Sequence, residues 1–359
     1  MNWPVLAGKK VAADTAKMAL RYMYSIGRSD AALSNFLSEA AGIAADPPLP
    51  SQEEVAKIAA EVQEKGDAAR GEKVFRSKSV SCFKCHALSQ AGGNVGPELS
   101  ALGSISPVDY VVNSILNPNL AIKEQFVTKT IITSDGNVVT GVVVDRDPTR
   151  VRLKDATGNI LIIPTDDIET EAEGKSLMPQ GLTKFLTHQE TLDLMKFVSL
   201  LGKPGPYAIR KAETMQRWRV LREPSAEVLK EVPNVEIVRA KILELPAESW
   251  DPAYAQVAGE FPLDEVKPAE GPAVVILQGE VDVTEEGAFQ VDIKTKEKFQ
   301  VWFDAEPFGD SAQFEVNGTK GVHKITLRME ISDAADAAVR LELVRLTGSS
   351  AQFVAVAGK

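Results

Sequence analysis

The spacing of apolar and polar positions divides the chain into stretches with different periods. In residues 11–45, 51–86, 107–116 and 187–201, apolar side chains recur every three or four positions, which is typical of amphipathic helices. From about residue 125 to 168, and again from Ala273 onward, short β-branched and aromatic runs alternate with turn residues, which predicts strands. The pattern therefore predicts a multidomain α+β protein.

Capping signals locate several helix starts. Hydroxyl or carboxylate residues stand where such starts need an acceptor: Ser51 with Glu54, Asp67, and Thr187 with Glu190. Gly71 lies one turn before Phe75 and removes a side chain where a second helix could cross closely. The expected partner is the apolar face of residues 190–201, so the two helices are predicted to cross.

A small β module interrupts the helical pattern. Two hairpins are signalled by the turns Ser134–Asn137 and Ala156–Asn159. The four predicted strands are Lys129–Thr133, Val138–Val144, Arg150–Lys154 and Ile160–Ile163. The module, at about residues 125–168, is predicted to be inserted between two helical halves of one domain, so that the domain as a whole is mainly α-helical.

Composition shifts set the predicted domain boundaries. Residues 1–50 form a helical segment that ends in the proline-rich linker 47–50 and is either the end of a helical repeat region or a plain helical preface. Residues 51–205 form the domain with the insertion, and residues 206–359 form a linker and an antiparallel β-sandwich.

The chemically most specific feature is Cys82, Cys85 and His86, because this C-x-x-C-H run contains both cysteines of the chain. It is the attachment signature of a c-type haem. Two thiols one helical turn apart can form thioethers with the two vinyl groups of one porphyrin, and the adjacent imidazole can reach the iron. The sequence predicts one covalently bound haem c.

Three other interpretations of the two cysteines are disfavoured. A zinc site would need a fourth ligand from His188 or His323, and His86 lies too close to Cys85 to share a tetrahedral metal comfortably. A thioredoxin-like pair expects a strand before the motif, whereas residues 67–86 have a helical pattern. A structural disulfide is the third alternative.

Met178 is the candidate for the sixth iron ligand, because a thioether raises the potential of an electron-transfer haem. It lies in a loop that Pro179 stiffens. Met195 fits core packing better, since it shares the apolar face of the last helix. His188 is the alternative ligand, although its position at a helix start favours a solvated side chain.

These motifs together resemble the c-haem-binding domain of the planctomycete and verrucomicrobial type. The resemblance spans residues 66–205 and rests on Gly66-Asp67, Gly71, Val74-Phe75, Cys82 to His86, Gly96-Pro97, Leu99, Ile115 to Pro118, Thr133, Asp135-Gly136, Ser176 to Pro179, Gly181-Leu182, Leu186-Thr187 and Glu190. It implies a monohaem, class I-like cytochrome c domain in which the Pro97 carbonyl accepts the other N–H of the proximal His86. Such domains are usually fused to dehydrogenase-like propellers or helical repeats in large exported proteins.

A second resemblance concerns the C-terminal strands. The segments Val301–Asp304 and Gly321–Leu327 resemble β-sandwiches of the protective-antigen type, some of which bind sugars. Ala305 stands where that pattern commonly has glycine, and no acidic calcium-binding loop is evident, so the carbohydrate ligand that the resemblance implies is left open. Trp302 and His323 are predicted to be a core and a surface residue rather than ligands.

Charge and hydropathy restrict partners and location. A net charge of −10 argues against a nucleic-acid partner, and without an apolar run of 18 residues the chain is not expected to cross a membrane. No signal peptide is visible at Met1–Pro4. Covalent haem attachment nevertheless belongs to the periplasmic side in bacteria, so the chain is expected to be part of a larger exported protein or a shortened form of one.

The sequence thus favours a periplasmic electron carrier over an enzyme. Its axial ligands are expected to be His86 and Met178, and its partner a redox protein or a fused dehydrogenase. Two alternatives from other classes stay open: a haem sensor or peroxidase-like enzyme with an open iron site, and a carbohydrate-binding module with an accessory haem.

Overall fold

The computed structural model describes residues 10–27, 30–44, 48–77, 80, 82–89, 91–269, 273–332, 334, 336–356 and 358. The predictions on Met1–Pro4 and Pro47 fall outside these residues. The chain divides into two compact units, and the multidomain α+β prediction is confirmed. The first comprises the described residues of Met1–His86 and Asn94–Lys203, and the second those of Ala87–Gly93 and Pro204–Lys359.

The first unit is built on helices. In the described residues they are α1 (Ala13–Ser25), α2 (Ala31–Ala40), α3 (Gln52–Lys65), α4 (Ala68–Arg76), α5 (Cys82–Cys85), α6 (Leu102–Ile105), α7 (Val108–Leu116) and α8 (His188–Leu200), with a 3-10 turn at Glu124–Phe126. The capping boxes predicted for α3 and α8 are both present, and the Asp67 carboxylate caps α4. None of the described helices combines the length and the apolar character needed to cross a bilayer.

Helices α4 and α8 cross at the predicted glycine. A Cβ on Gly71 would lie 1.9 Å from the backbone oxygen of Asp193, so the two backbones touch. The buried Asp193 carboxylate accepts hydrogen bonds from the Asp67 amide and the Arg70 guanidinium, both at 2.7 Å. The rings of Phe75 and Phe197 continue the contact at 5.5 Å between centroids. The crossing predicted from the sequence is confirmed.

The inserted module has one strand more than expected. After the short pair β1 (Ala87–Leu88) and β2 (Ala91–Gly92), which belongs to the second unit, come β3 (Thr128–Thr133), β4 (Val138–Arg146), β5 (Arg150–Lys154), β6 (Ile160–Pro164) and β7 (Ile168–Glu173). A 3-10 turn, Thr165–Asp167, precedes β7. The five strands form an antiparallel sheet in the order β6-β5-β4-β3-β7.

Strand β7 corrects the sequence prediction, which has four strands, the last at Ile160–Ile163, in a module that ends at about residue 168. Its glutamates lack the β-branched character that signals a strand. They are accommodated because the Lys129 ammonium on β3 lies 3.7 Å from Glu171 and 3.6 Å from Glu173. The module therefore extends to Glu173, and its first and last strands are neighbours.

Besides the β1–β2 pair, the described residues of the second unit form two larger antiparallel sheets. Its further strands are β8 (Glu213–Thr214), β9 (Arg217–Leu221), β10 (Trp250–Tyr254), β11 (Phe261–Pro262), β12 (Val274–Glu285), β13 (Gly287–Thr295), β14 (Lys298–Phe303), β15 (Glu306–Gly309), β16 (Gln313–Gly318), β17 (Gly321–Glu330), β18 (Ala338–Arg345) and β19 (Gln352–Ala355). Short helical segments lie between β9 and β12: α9 (Ala226–Lys230), α10 (Val235–Val238), a π-helical turn at Arg239–Leu243, and 3-10 turns at Ala247–Ser249 and Leu263–Glu265.

The two sheets face each other across one apolar core. The larger has the order β10-β9-β12-β17-β14-β15, with β19 also paired to β12, and the smaller has the order β11-β18-β13-β16, with β8 paired to β18. Leu277 and Ile325 of the larger sheet share a core cluster with Phe289 and Leu341 of the smaller one. The predicted antiparallel sandwich is present, and Trp302 is a core residue as expected, only 2% exposed. Sugar binding by this unit stays a prediction.

His323 lies between two acceptors in the second unit. Its Nδ1 lies 2.7 Å from the Asp304 carboxylate and its Nε2 lies 2.7 Å from the Thr319 carbonyl oxygen. Both partners can only accept, so together they favour the form of the ring in which both nitrogens carry hydrogen, the imidazolium. Burial lowers the pKa of His323, but the hydrogen bonds and the Asp304 charge outweigh it and hold that pKa above its usual value.

A raised pKa makes the stability of the second unit depend on pH. The contribution of His323 is fully present below its unfolded pKa of about 6.5 and is lost as the pH rises through the higher folded pKa. We expect the free energy of unfolding to fall over that range, and His323→Gln to remove this part of the slope. Tryptophan fluorescence can follow it, because Trp218, Trp250 and Trp302 lie in this unit. The exposed His188 is the matched control: His188→Gln should keep the slope, and equal slopes in wild type and His323→Gln would contradict the prediction.

The contact at Gly71 predicts the sign of one substitution. Glycine to alanine at an exposed helix position stabilises by about 1 kcal/mol. Gly71→Ala should instead lower the free energy of unfolding by about 1–3 kcal/mol or more, because the added methyl group meets the Asp193 backbone. Urea unfolding followed by helical circular dichroism measures it. Ala69→Gly, at an exposed position of the same helix, is the control that measures the effect of helix propensity alone. A Gly71→Ala variant more stable than the wild type would disprove the close crossing.

Candidate functional site

Residues from two distant segments line one cavity of the first unit. Cys82, Cys85 and His86 contribute from α5 and the residue after it, and Met178 contributes from the loop between β7 and α8. Most of the other lining side chains are apolar, among them Phe75, Val95, Leu99, Val111, Ile115, Ile122, Phe126, Val142, Leu182, Leu194 and Val198. The cavity thus joins two thiols, an imidazole and a thioether within an apolar wall.

The two cysteines occupy opposite ends of one helical turn, and both thiols are free. Burial raises the pKa of the Cys82 thiol to about 12, so this sulfur is protonated at neutral pH. A disulfide-exchange pair has the opposite property, a lowered thiol pKa. Helix α4, rather than a strand, precedes the motif along the described chain. Both observations differ from what a thioredoxin-like pair requires.

The zinc alternative needs further ligands close to the two cysteines. Within the residues that the structure describes, no group of three or more His, Cys, Asp and Glu side chains is placed to hold a metal ion. His188, one of the histidines that such a site would need, begins α8 and lies 2.9 Å from the Glu61 carboxylate through its Nε2.

His86 is held by the residues that follow it. Its Nδ1 lies 2.8 Å from the carbonyl oxygen of Pro97, the contact that the family resemblance implies. Because a carbonyl can only accept, Nδ1 carries the hydrogen and Nε2 carries the lone pair. Burial lowers the pKa of His86, although the Pro97 hydrogen bond acts in the opposite direction. The ring is thus neutral at neutral pH and can donate to a metal through Nε2.

Gly96 makes this arrangement sterically feasible. A Cβ at this position would lie 2.6 Å from Cε1 and 2.9 Å from Nδ1 of His86. The absent side chain therefore leaves the space in which the ring packs against the backbone.

Of the side chains considered as a sixth ligand, Met178 lies on the cavity. It is half-buried in its loop, and its amide donates to Ser176 Oγ at 3.1 Å. Met195 is fully buried in a helical core with Val62 and Leu192, as predicted. The His188 side chain is 63% exposed at the helix start, which agrees with the solvated position expected for it.

The inserted sheet contributes to the cavity wall, which the sequence pattern alone does not predict. Val142 on β4 lines the cavity, although its neighbours Val139 and Val143 pack into the core of the sheet. Three consecutive valines, Val142–Val144, were the available signal, because an exposed sheet face would have alternated with polar residues. Phe126 and Ile122, just before β3, extend the same wall.

Comparison with known proteins identifies no family. No family model matches the chain, and no curated protein matches it. Among solved structures, a β-glucosidase from Kluyveromyces marxianus is similar at a TM-score of 0.24 and 11% sequence identity, over 42% of this chain and 19% of that chain. A likeness this weak carries no argument about fold or function.

The contact between Gly96 and His86 can be tested by a double-mutant cycle. Gly96→Ala should lower the free energy of unfolding by about 1–3 kcal/mol, because the new methyl group overlaps the imidazole. In a His86→Ala background the same substitution should cost clearly less, since the ring is gone. Urea unfolding of the four proteins gives the coupling. Equal costs in both backgrounds would show that Gly96 is not required by the ring.

Proposed function

We propose that this chain is an electron-transfer protein with one covalently attached haem c, bound in a cytochrome c-like domain that contains the inserted β module. Cys82 and Cys85 are the thioether anchors, and His86 and Met178 are the axial ligands. The observation that carries the proposal is the convergence of these four side chains on one apolar cavity. When bound, the haem would supply a one-electron iron couple.

The donor set fits that group. The two thiols are free and one helical turn apart, the imidazole is neutral with its lone pair on Nε2, and the thioether lies on the same cavity. Nitrogen and thioether donors are the axial pair of electron-transfer cytochromes c. The backbone around Gly96 forms a close-fitting cradle for the His86 ring, which keeps the imidazole in place.

The chain's own residues then have separate tasks. The Pro97 carbonyl fixes the tautomer and orientation of His86, as a partner behind a metal ligand does. The apolar lining excludes water and lowers the local dielectric, which disfavours the more highly charged oxidation state and so raises the reduction potential. Two axial donors also limit ligand rearrangement between oxidation states.

The proposal includes an exported location and a protein partner. In bacteria, covalent haem attachment takes place on the periplasmic side, so we place the mature protein there. The partner is a redox protein or a fused dehydrogenase. A negative net charge favours a partner with a basic contact surface, because complementary charges steer association.

Optical spectra of the haem-loaded protein test the axial pair. The ferric wild type should show the thioether-to-iron absorption band, and the ferrous form should bind carbon monoxide slowly because Met178 occupies the sixth position. Met178→Ala should lose the band and bind carbon monoxide rapidly. His188→Gln is the control for the alternative ligand and should behave as wild type. Rapid carbon monoxide binding by the wild type, or a band that survives in Met178→Ala, would refute the six-coordinate carrier.

A further inference from the structure

The loop that carries Met178 begins where the inserted sheet closes. Strands β3 and β7 pair along their length, with Lys129 opposite Glu173 at the end nearest the loop. One residue beyond this pair, the Gly174 amide donates to the carbonyl oxygen of Thr128 at 2.9 Å. The chain therefore enters and leaves the insertion at one point, and the loop starts from a fixed position.

The side chain of Thr128 holds the next residue of the loop, Lys175, by a further hydrogen bond. Its side chain is fully buried, and Oγ1 donates to the carbonyl oxygen of Lys175 at 2.7 Å. The approach is so close that a Cβ on Gly174 would lie 2.2 Å from the same hydroxyl oxygen. Removal of the hydroxyl would leave the Lys175 carbonyl without this partner in a partly buried site, which is costly for a polar group.

Asn119, in the segment after α7, holds the next residue. Its Oδ1 accepts from the Ser176 amide at 2.9 Å, and Ser176 Oγ in turn accepts from the Met178 amide. The Asn119 side chain is exposed, so its contribution is smaller than that of the buried Thr128. Backbone groups of residues 174, 175, 176 and 178 are thus each fixed by a hydrogen bond.

We propose that Thr128 and Asn119 are positioning residues that hold Met178 over the cavity, and that the inserted sheet presents Thr128 and closes the loop for this purpose. The inference rests on the proposed function and assigns the insertion a role within it. A thioether is a weak, exchangeable donor, so its occupancy of the sixth position depends on how firmly its loop is held. Loosening the loop should raise the fraction of molecules in which the sixth position is open.

Imidazole binding to the ferric, haem-loaded protein measures that fraction, because imidazole takes the position that Met178 leaves. Thr128→Val should raise the apparent imidazole affinity about three- to tenfold, as expected for the loss of one hydrogen bond. Asn119→Ala should raise it less. Thr128→Ser and Asn119→Asp retain the oxygen and should stay near the wild-type value. Matched controls are Thr130→Val, whose hydroxyl contacts Thr140 across the sheet, and Asn137→Ala in a hairpin turn.

Met178→Ala separates this inference from the proposed function. If Met178→Ala leaves the thioether band and the imidazole affinity unchanged, His/Met ligation itself is wrong. If it raises the affinity strongly while Thr128→Val matches Thr130→Val and Asn119→Ala matches Asn137→Ala, the positioning role is overturned. Should Thr128→Val fail to fold, Asn119→Ala is the deciding variant. Its amide hydrogens in residues 174–178 should exchange faster than in the wild type, and its imidazole affinity should rise. If neither quantity changes, the inference is overturned.

Discussion

The contact between the backbones of α4 and α8 at Gly71 is the constraint on which the first unit depends. Two helices far apart in the chain meet so closely that no side chain fits between them. The contact also buries the Asp193 carboxylate, which accepts hydrogen bonds from the start of α4 and from Arg70. A buried carboxylate is tolerated because these partners replace its hydration. Helix α5, with both cysteines, is the next described helix along the chain after α4, which this crossing fixes.

The sequence predicts the features that arise from local interactions. Capping boxes, the Asp67 cap and the first four strands of the insertion are encoded in a few neighbouring residues each. The Gly71 crossing joins distant residues, but each of its two helices carries a local signal. Strand β7 is different, because the cations that pair with its glutamates, Lys129 and Arg146, lie many residues earlier. Its existence depends on a pairing that no short sequence window contains.

The candidate site divides in the same way. The C-x-x-C-H motif is local, and the contact between His86 and Pro97 follows from a recognisable nearby segment. The loop motif also allows one to expect that Met178 approaches the C-x-x-C-H motif, but it does not predict the contacts that fix the loop. Thr128 and Asn119 are ordinary residues in the sequence, and they matter because the fold brings them beside Lys175 and Ser176. Val142 joins the wall for the same reason.

Closure of the insertion explains how a long segment can separate two parts of one site. The entropic cost of bringing two residues together grows with the length of flexible chain between them. Antiparallel pairing of β3 with β7 removes most of that length, because the stretch between them is already ordered within the sheet. Thr128 and Gly174 are joined by a hydrogen bond, so the two ends of the insertion are neighbours in space although they are far apart in the sequence. The sheet therefore lengthens the sequence between His86 and Met178 without loosening their connection, provided that β7, the strand least evident in the sequence, stays paired.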